Sequence, residues 1–353
     1  MKRSLCLSIF LLLISCNSNS EHSDNDTKAV TLFSELWNIF DENYAFFELR
    51  KVDWNSEKTK GFALVQNANS DSTLFEAFCF ILKKFDDAHI NLEADDLDAY
   101  CNSAKTPDFY KEFPTNESFS TFLEARNSSL KKLNIAKPIT SKSGIFEYGL
   151  DENEDWGYFR IKRFYGADLK TLAAELNEIM KPLSEVSKLI IDIRVNPGGN
   201  DETALLAASY FFKTKDLAFL KQVRNGPNHE DFTPLDTTFV LPNYAFKAEY
   251  PTFYLLTNGA SGSSADVFAL IMSQLNNLSI IGTNTEGIFS DMHRDTLANG
   301  WRISLSNERY FSKEMKCYEG LGVPVDVEIQ NKRMDANRGK DMLIEYITEL
   351  NLH

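Results

Sequence analysis

The run Leu189-Ile190-Ile191-Asp192-Ile193 constrains this chain more than any other stretch. Its apolar residues are nearly consecutive rather than alternating, which marks a strand buried on both faces. Tyr158 to Ile161 precedes it as a strand, and Phe253 to Leu256 and Ser279 to Gly282 follow as two more. Between them lie helical spacings, Leu169 to Met180 and Glu202 to about Phe212, and an amphipathic run that begins near Ser263. Strands alternating with helices predict an α/β domain with a largely parallel sheet. Asn299-Gly300 predicts a hairpin turn between two late strands.

The first half of the chain reads differently. Leu32, Leu36, Phe40 and Tyr44 recur at helical spacing, as do Leu74, Phe78, Ile81, Leu82 and Phe85, with a loop at Asn67 to Ser72. The second helix runs into Asp86-Asp87-Ala88-His89, a tight turn before the short strand Ile90-Asn91-Leu92. Residues 95–150 carry one clear helix, Ser118 to Leu133, and no peptide-recognition module of the PDZ type is legible there. The expected division is 1–16 signal, 17–28 flexible tether, 29–95 helical region, 96–150 linker or lid, and 151–353 α/β core.

The first residues read as an address. Lys2 and Arg3 precede the apolar stretch Leu5 to Ile14, too short to span a bilayer as a helix. Leu13-Ile14-Ser15-Cys16 resembles the bacterial lipobox, which implies lipidation at Cys16 and a place on the cell envelope, facing periplasm or exterior. The net charge of −14 leaves no basic footprint for nucleic acid. Cys79, Cys101 and Cys317 then remain, an odd number with no disulfide framework expected, and Cys79 reads as a core residue. No Cys-x-x-Cys or His-x-x-x-His spacing exists, so no metal site is expected.

Several residues carry candidate chemistry. The turn Asn196-Pro197-Gly198-Gly199 follows a buried strand and precedes a helix, where backbone N–H groups can face a developing negative charge. Ser263 stands at the same kind of place, with the Ser264 amide beside it. Ser263-x-x-Asp266 is also a capping-box pattern, and the local pattern leaves cap and nucleophile both open. A serine nucleophile needs a base and an orienting acid. His89 sits on a rigid turn, and Glu319 lies in Tyr318-Glu319-Gly320-Leu321-Gly322-Val323-Pro324, flanked by turn residues.

Together these residues resemble the tricorn-core and C-terminal-processing family of serine peptidases. "ENYAFFELRKVDW", "FDDAHINL", "WGYFRIKRF", "LIIDIRVNPGGN", "LLTNGASGSSADVFA" and "YEGLGVPVDVEI" occur in that family's order. The resemblance implies a crotonase/ClpP-like α/β core with a helical N-terminal region. It implies Ser263 as nucleophile, His89 as base in the histidine branch, and Glu319 as the acid. It implies an oxyanion hole from Gly199 or Gly198 with the Ser264 amide, peptide or unfolded-protein substrates, and no cofactor. Ile288 stands where the other branch carries its lysine base, and isoleucine cannot accept a proton. Ala88 replaces a serine often found before the histidine, and Asp266 a glutamate, its shorter reach suiting a cap. The rival readings are an inactive peptide- or ligand-binding lipoprotein on the same fold, and an acyl-CoA enzyme of the crotonase fold, which export disfavours.

Overall fold

The computed structural model describes residues 18–153, 155–243 and 252–351, with side chains from residue 28 onward. The expected signal and Cys16 lie outside the described residues. In chain order the elements are α1 (Ser18–Asn43), α2 (Trp54–Val65), α3 (Asp71–Leu82), β1 (Asn91–Ala94), β2 (Ala99–Asn102), α4 (Asp108–Glu112), α5 (Asn116–Leu130), β3 (Ile139–Thr140), β4 (Phe146–Leu150), β5 (Trp156–Ile161), α6 (Leu169–Leu183) and β6 (Lys188–Asp192). There follow α7 (Asp201–Ala208), β7 (Asp216–Val223), β8 (Asp236–Val240), β9 (Thr252–Thr257), α8 (Ser264–Met272), β10 (Leu278–Gly282), β11 (Met292–Thr296), β12 (Arg302–Ser306), β13 (Glu308–Phe311), β14 (Val327–Glu328), α9 (Arg333–Ala336) and α10 (Met342–Leu350).

A seven-stranded sheet in the order β14-β10-β9-β6-β5-β4-β3 forms the centre. Strands β14, β10, β9, β6 and β5 run parallel, while β4 and β3 add an antiparallel edge. The unbroken apolar runs do cover two faces. Leu189, Ile191, Ile193 and Leu255 join one cluster with Leu172, Leu176 and Ile179 of α6 and Phe268 of α8. Ile190, Tyr254 and Leu256 point the other way, into a cluster with Leu130 of α5 and Leu343, Ile344 and Ile347 of α10. Each such side chain contributes roughly 1.5–3 kcal/mol of burial, which is why the strands lack polar alternation. Helix α6 is capped by Asp168, whose side chain accepts from Thr171 N, and its buried residues recur at helical spacing.

Helices α1 to α3 pack around an aromatic core that includes Phe33, Phe40, Tyr44, Trp54, Phe78 and Phe85. This region is not independent of the rest. Strands β1 and β2 form a second sheet with β12 and β11, in the order β11-β12-β1-β2, and Trp301 from the β11–β12 hairpin enters the aromatic core. The predicted Asn299-Gly300 turn closes that hairpin.

Three expectations change. Strands β3 and β4 fall in the segment read as linker or lid, yet β4 pairs along its whole length with β5. Helix α1 begins at Ser18, inside the expected tether, because a helix anchored by buried Ala29, Leu32 and Phe33 can propagate one bond per residue toward its N-terminus. Cys79 and Cys101 form a disulfide between α3 and β2, where no disulfide was expected. Their separation of 22 residues hides the pairing from any local spacing rule. Cys317 is the free thiol among the described residues, and burial pushes it up to about 11.

Candidate active site

Strands β6, β9 and β10 end level with one another: Asp192 lies opposite Leu256, and Thr257 opposite Gly282. Their following turns, at 193–200, 258–263 and 283–289, therefore leave one sheet edge side by side. The carboxyl ends of parallel strands are where open α/β sheets bind ligands. The turns are stapled together. Gly262 N–H donates to Asn196 O at 3.0 Å, Ser261 Oγ to Ile193 O at 2.9 Å, and Glu286 N–H to Ser261 O at 2.9 Å.

A buried ion pair launches the glycine turn. Arg194 Nε and Nη2 donate to the two oxygens of Asp192 at 2.9 and 2.7 Å, and Nη1 lies 2.9 Å from the Asp341 carboxylate. Burial alone would raise the Asp192 carboxyl, but Arg194 holds it at about 2. Asn196 then shapes the turn, its Nδ2 donating to Ile161 O at 3.0 Å and its Oδ1 accepting from Gly198 N–H at 2.9 Å. Gly198 and Gly199 have φ of 91° and 147°. A Cβ on Gly198 would lie 2.6 Å from both Gly262 O and Ser263 Cβ, and 2.8 Å from Ser264 N. Only glycine lets the two turns meet so closely. Because Gly198 N–H is already given to Asn196, the expected oxyanion pair narrows: Gly199 N–H, which donates to no protein group among the described residues, is the glycine amide left for a ligand.

Ser263 has φ 56° and ψ −124°, a conformation that costs a non-glycine residue about 1–3 kcal/mol. Its side chain makes no cap bond, so the serine half of the capping-box expectation fails, while the Asp266 carboxyl does accept from the Ser263 N–H. Asp266 also reaches the third turn, its two oxygens accepting from Gly287 N–H at 2.8 Å and Ile288 N–H at 3.1 Å. Burial nonetheless pushes this carboxyl up to about 6. Ser264 Oγ donates to Asp201 Oδ1 at 2.7 Å, and Tyr310 donates to Asp201 Oδ2 at 3.0 Å, so the starts of α7 and α8 are tied together. Ser263 is left half-buried at the head of a wholly buried α8, with its Oγ hydrogen-bonded to no protein group among the described residues.

Glu319 meets the third turn at Phe289, and His89 lies within the field of Asp87, Asp291 and Arg50. The His89 turn is locked by Asp87, which accepts from His89 N–H at 2.9 Å, from the Tyr44 hydroxyl at 2.9 Å and from Ser306 Oγ at 3.1 Å. Asp87 is fully buried. His89 is 6% exposed, its Nδ1 has no partner, and burial lowers its pKa against the pull of Asp87. Glu319 is 1% exposed rather than a solvated loop carboxylate. Its Oε2 accepts from Phe289 N–H at 2.9 Å and its Oε1 from Arg50 Nη2 at 3.2 Å. Burial and Asp87 push its pKa well up, opposed by Arg50. The three amides of residues 287–289 are thus shared between Asp266 on the serine helix and Glu319. No hydrogen bond joins His89 to Ser263 or to Glu319 among the described residues; such bonds often tighten only when substrate binds.

Sequence reasoning missed Asp201 and the bridging Arg50, which also donates to Asp86 O at 2.7 Å. Arg50 and Tyr44 do lie in the motif "ENYAFFELRKVDW", the one signal that could have found them. The 96–150 segment also matters here: Phe109, Phe113 and Phe122 pack on Ala260 of the serine turn, with Val195 of the glycine turn against them. A cavity of about 400 Å³ opens beside it, lined by Phe109, Phe122, Asn258, Gly259 and Thr283 among others. Of the remaining histidines, His229 stacks on Phe47 and bonds Asp41 Oδ1 at 2.8 Å, away from these turns.

The sequence profile of peptidase family S41 matches residues 155–329, which span all three turns and Glu319. The core belongs to peptidase family S41. Curated S41-type relatives include a carboxy-terminal-processing protease of Bartonella bacilliformis, 21% identical over 54% of this chain and 42% of that protein. A carboxy-terminal processing protease of Bacillus subtilis is 23% identical over 49% of this chain and 34% of its own length. The chain thus spans less than half the length of the curated relatives it matches. Two solved structures share the fold over most of both chains. One is from Parabacteroides merdae, provisionally described as a peptidase, with a TM-score of 0.76 at 23% identity over 94% of this chain and 96% of that one. The other is mature CPAF, at 0.70 and 12% over 92% and 98%. The tricorn protease matches at 0.56 and 16%, over 92% of this chain and 36% of that one. The S41 core with its helical N-terminal region is therefore the α/β architecture expected.

Proposed function

We propose that this S41 chain is an envelope-anchored serine endopeptidase. Ser263 Oγ attacks a peptide carbonyl while His89 takes its proton. The Gly199 and Ser264 amides hold the oxyanion, Glu319 orients the imidazole, and water releases the acyl-enzyme. The observation that carries this reading is Ser263 itself: a strained residue with a free hydroxyl, pressed against Gly198 at the start of a buried helix. Cys16 would carry the lipid that tethers the enzyme; among the described residues no helix is long and apolar enough to cross a membrane. A second reading, a peptide-binding lipoprotein without turnover, is favoured by the missing bonds around His89 and by Ala88.

A fluorophosphonate probe separates them. Ser263 should be labelled, and His89→Ala should slow labelling by about 10²–10⁴-fold, the usual worth of a general base. A folded wild type that takes no label supports the binding protein instead. The pH profile adds a sign. Burial disfavours the imidazolium, so His89 stays neutral below its ordinary value of 6.5. For a peptide without charged side chains, the acid limb of kcat/KM should therefore fall below pH 6.5; a limb above that value counts against His89 as the base.

A further inference from the structure

Glu286 lies in the third turn, and no part of the mechanism above uses its side chain. A Cβ on Gly262, the residue before Ser263, would be 2.3 Å from Glu286 Oε2. The carboxyl therefore touches the backbone that presents the nucleophile. Its backbone N–H is taken by Ser261 O, but its carboxylate has no hydrogen bond or ion pair among the described residues. Other buried or half-buried glutamates here do have cations: Glu147 is met by Arg126, Arg160 and Lys162, Glu57 by Lys60 and Lys84, and Glu308 by Lys221. Glu319 and Asp266 at least accept backbone amides. Among the described residues, Glu286 lies against the serine turn without such compensation.

We propose that Glu286 forms the acidic wall of a substrate subsite beside Ser263 and selects a lysine or arginine side chain flanking the scissile bond. The proposal rests on the serine-peptidase reading. The charged groups felt by Glu286 are Asp266 from α8 and Asp87 from the turn before β1, both acidic, and Tyr110 of α4 lies near enough to feel Glu286 in turn. Among the described residues no cation pairs with it. Burial, then Asp266 and Asp87, pushes the carboxyl up to about 8. A substrate ammonium or guanidinium would supply the missing partner and offset that desolvation. The apolar stem of such a side chain suits the neighbouring Ile288, whose Cδ1 also borders Gly262.

A peptide pool randomised at every position, digested by the whole chain and read by mass spectrometry, tests this. Lysine and arginine should be enriched at one of the two residues flanking the cut. Between matched lysine and norleucine peptides, kcat/KM should favour lysine by about tenfold or more at pH 8.5, the worth of one charge-assisted hydrogen bond. The preference should narrow by pH 6, as Glu286 takes up a proton. In Glu286→Gln the ratio should approach unity, and in Glu286→Lys the enrichment should turn to acidic residues. An unselective wild type, or a lysine preference that survives Glu286→Gln, overturns the proposal. So does loss of fluorophosphonate labelling in Glu286→Gln, which would make Glu286 part of the proton transfer. If the wild type neither labels nor cuts, the peptidase reading has failed separately. Fluorescence polarisation of the same lysine and norleucine peptides then decides the subsite, and equal binding sinks it.

Discussion

Replacing Arg194 with methionine should lower unfolding stability by about 3–5 kcal/mol, the cost of removing one partner from a buried ion network. The side chain is buried and holds Asp192 through two parallel bonds and Asp341 through a third. Without it, two carboxylates are stranded in the core. Tyr158 still donates to Asp192 at 2.7 Å but supplies no charge. The pH dependence has a fixed sign. Arg194 holds Asp192 near 2, below its ordinary 3.8, so its contribution is present above pH 3.8 and lost as pH falls through about 2. In the variant only the weaker pull of Arg160 and the Tyr158 hydrogen bond oppose burial, so the same carboxyl should rise. The gap between wild type and variant should thus be widest near neutrality and narrow toward pH 4, in urea melts followed by circular dichroism. A gap independent of pH would mean that lost packing against Phe122, over which the guanidinium lies at 5.1 Å, matters more than charge. Arg194→Lys should fall between, keeping the charge and losing the fork.

How much of this was legible depended on range. The buried strands announced themselves because Leu189 to Ile193 and Phe253 to Leu256 must be apolar on both faces, a demand written into consecutive residues. The glycine and serine turns were legible for the same reason, since each is local to one strand end. The positions of His89 and Glu319 came from motif order and not from any periodicity. What stayed hidden was long-range or conformational. Arg50 meets Glu319 across 269 positions, and Cys79 meets Cys101 only once β2 folds back along α3. Strand β4 reads as irregular because Phe146 is its one fully buried residue, and it is recruited by pairing with β5. The Ser263-x-x-Asp266 pattern was half right, Asp266 taking the Ser263 N–H while the serine side chain makes no cap bond, because a cap and the proposed nucleophile turn use the same residues. Only the sign of φ at Ser263 separates them, and residue identity does not encode it.

Gly198→Ala should cut kcat by at least about a hundredfold, because in the proposed mechanism the oxyanion donors and the nucleophile depend on one contact between turns. The added methyl would sit 2.6 Å from Gly262 O and 2.6 Å from Ser263 Cβ. Neither neighbour is the far end of a flexible side chain, so one turn has to move. Whichever moves, the proposed donors Gly199 N–H and Ser264 N–H shift relative to Ser263. Stability should also fall, since alanine at φ 91° carries a backbone cost of about 1–2 kcal/mol. Gly300 supplies the control. It has φ 90° in the β11–β12 hairpin, and a Cβ there would meet nothing within 4 Å. Gly300→Ala therefore imposes the same backbone penalty without the collision. It should lower the melting temperature comparably and leave turnover near that of the wild type. If the two substitutions reduce kcat alike, the loss at Gly198 comes from general destabilisation, and the meeting of the two turns is not what sets the reactive geometry.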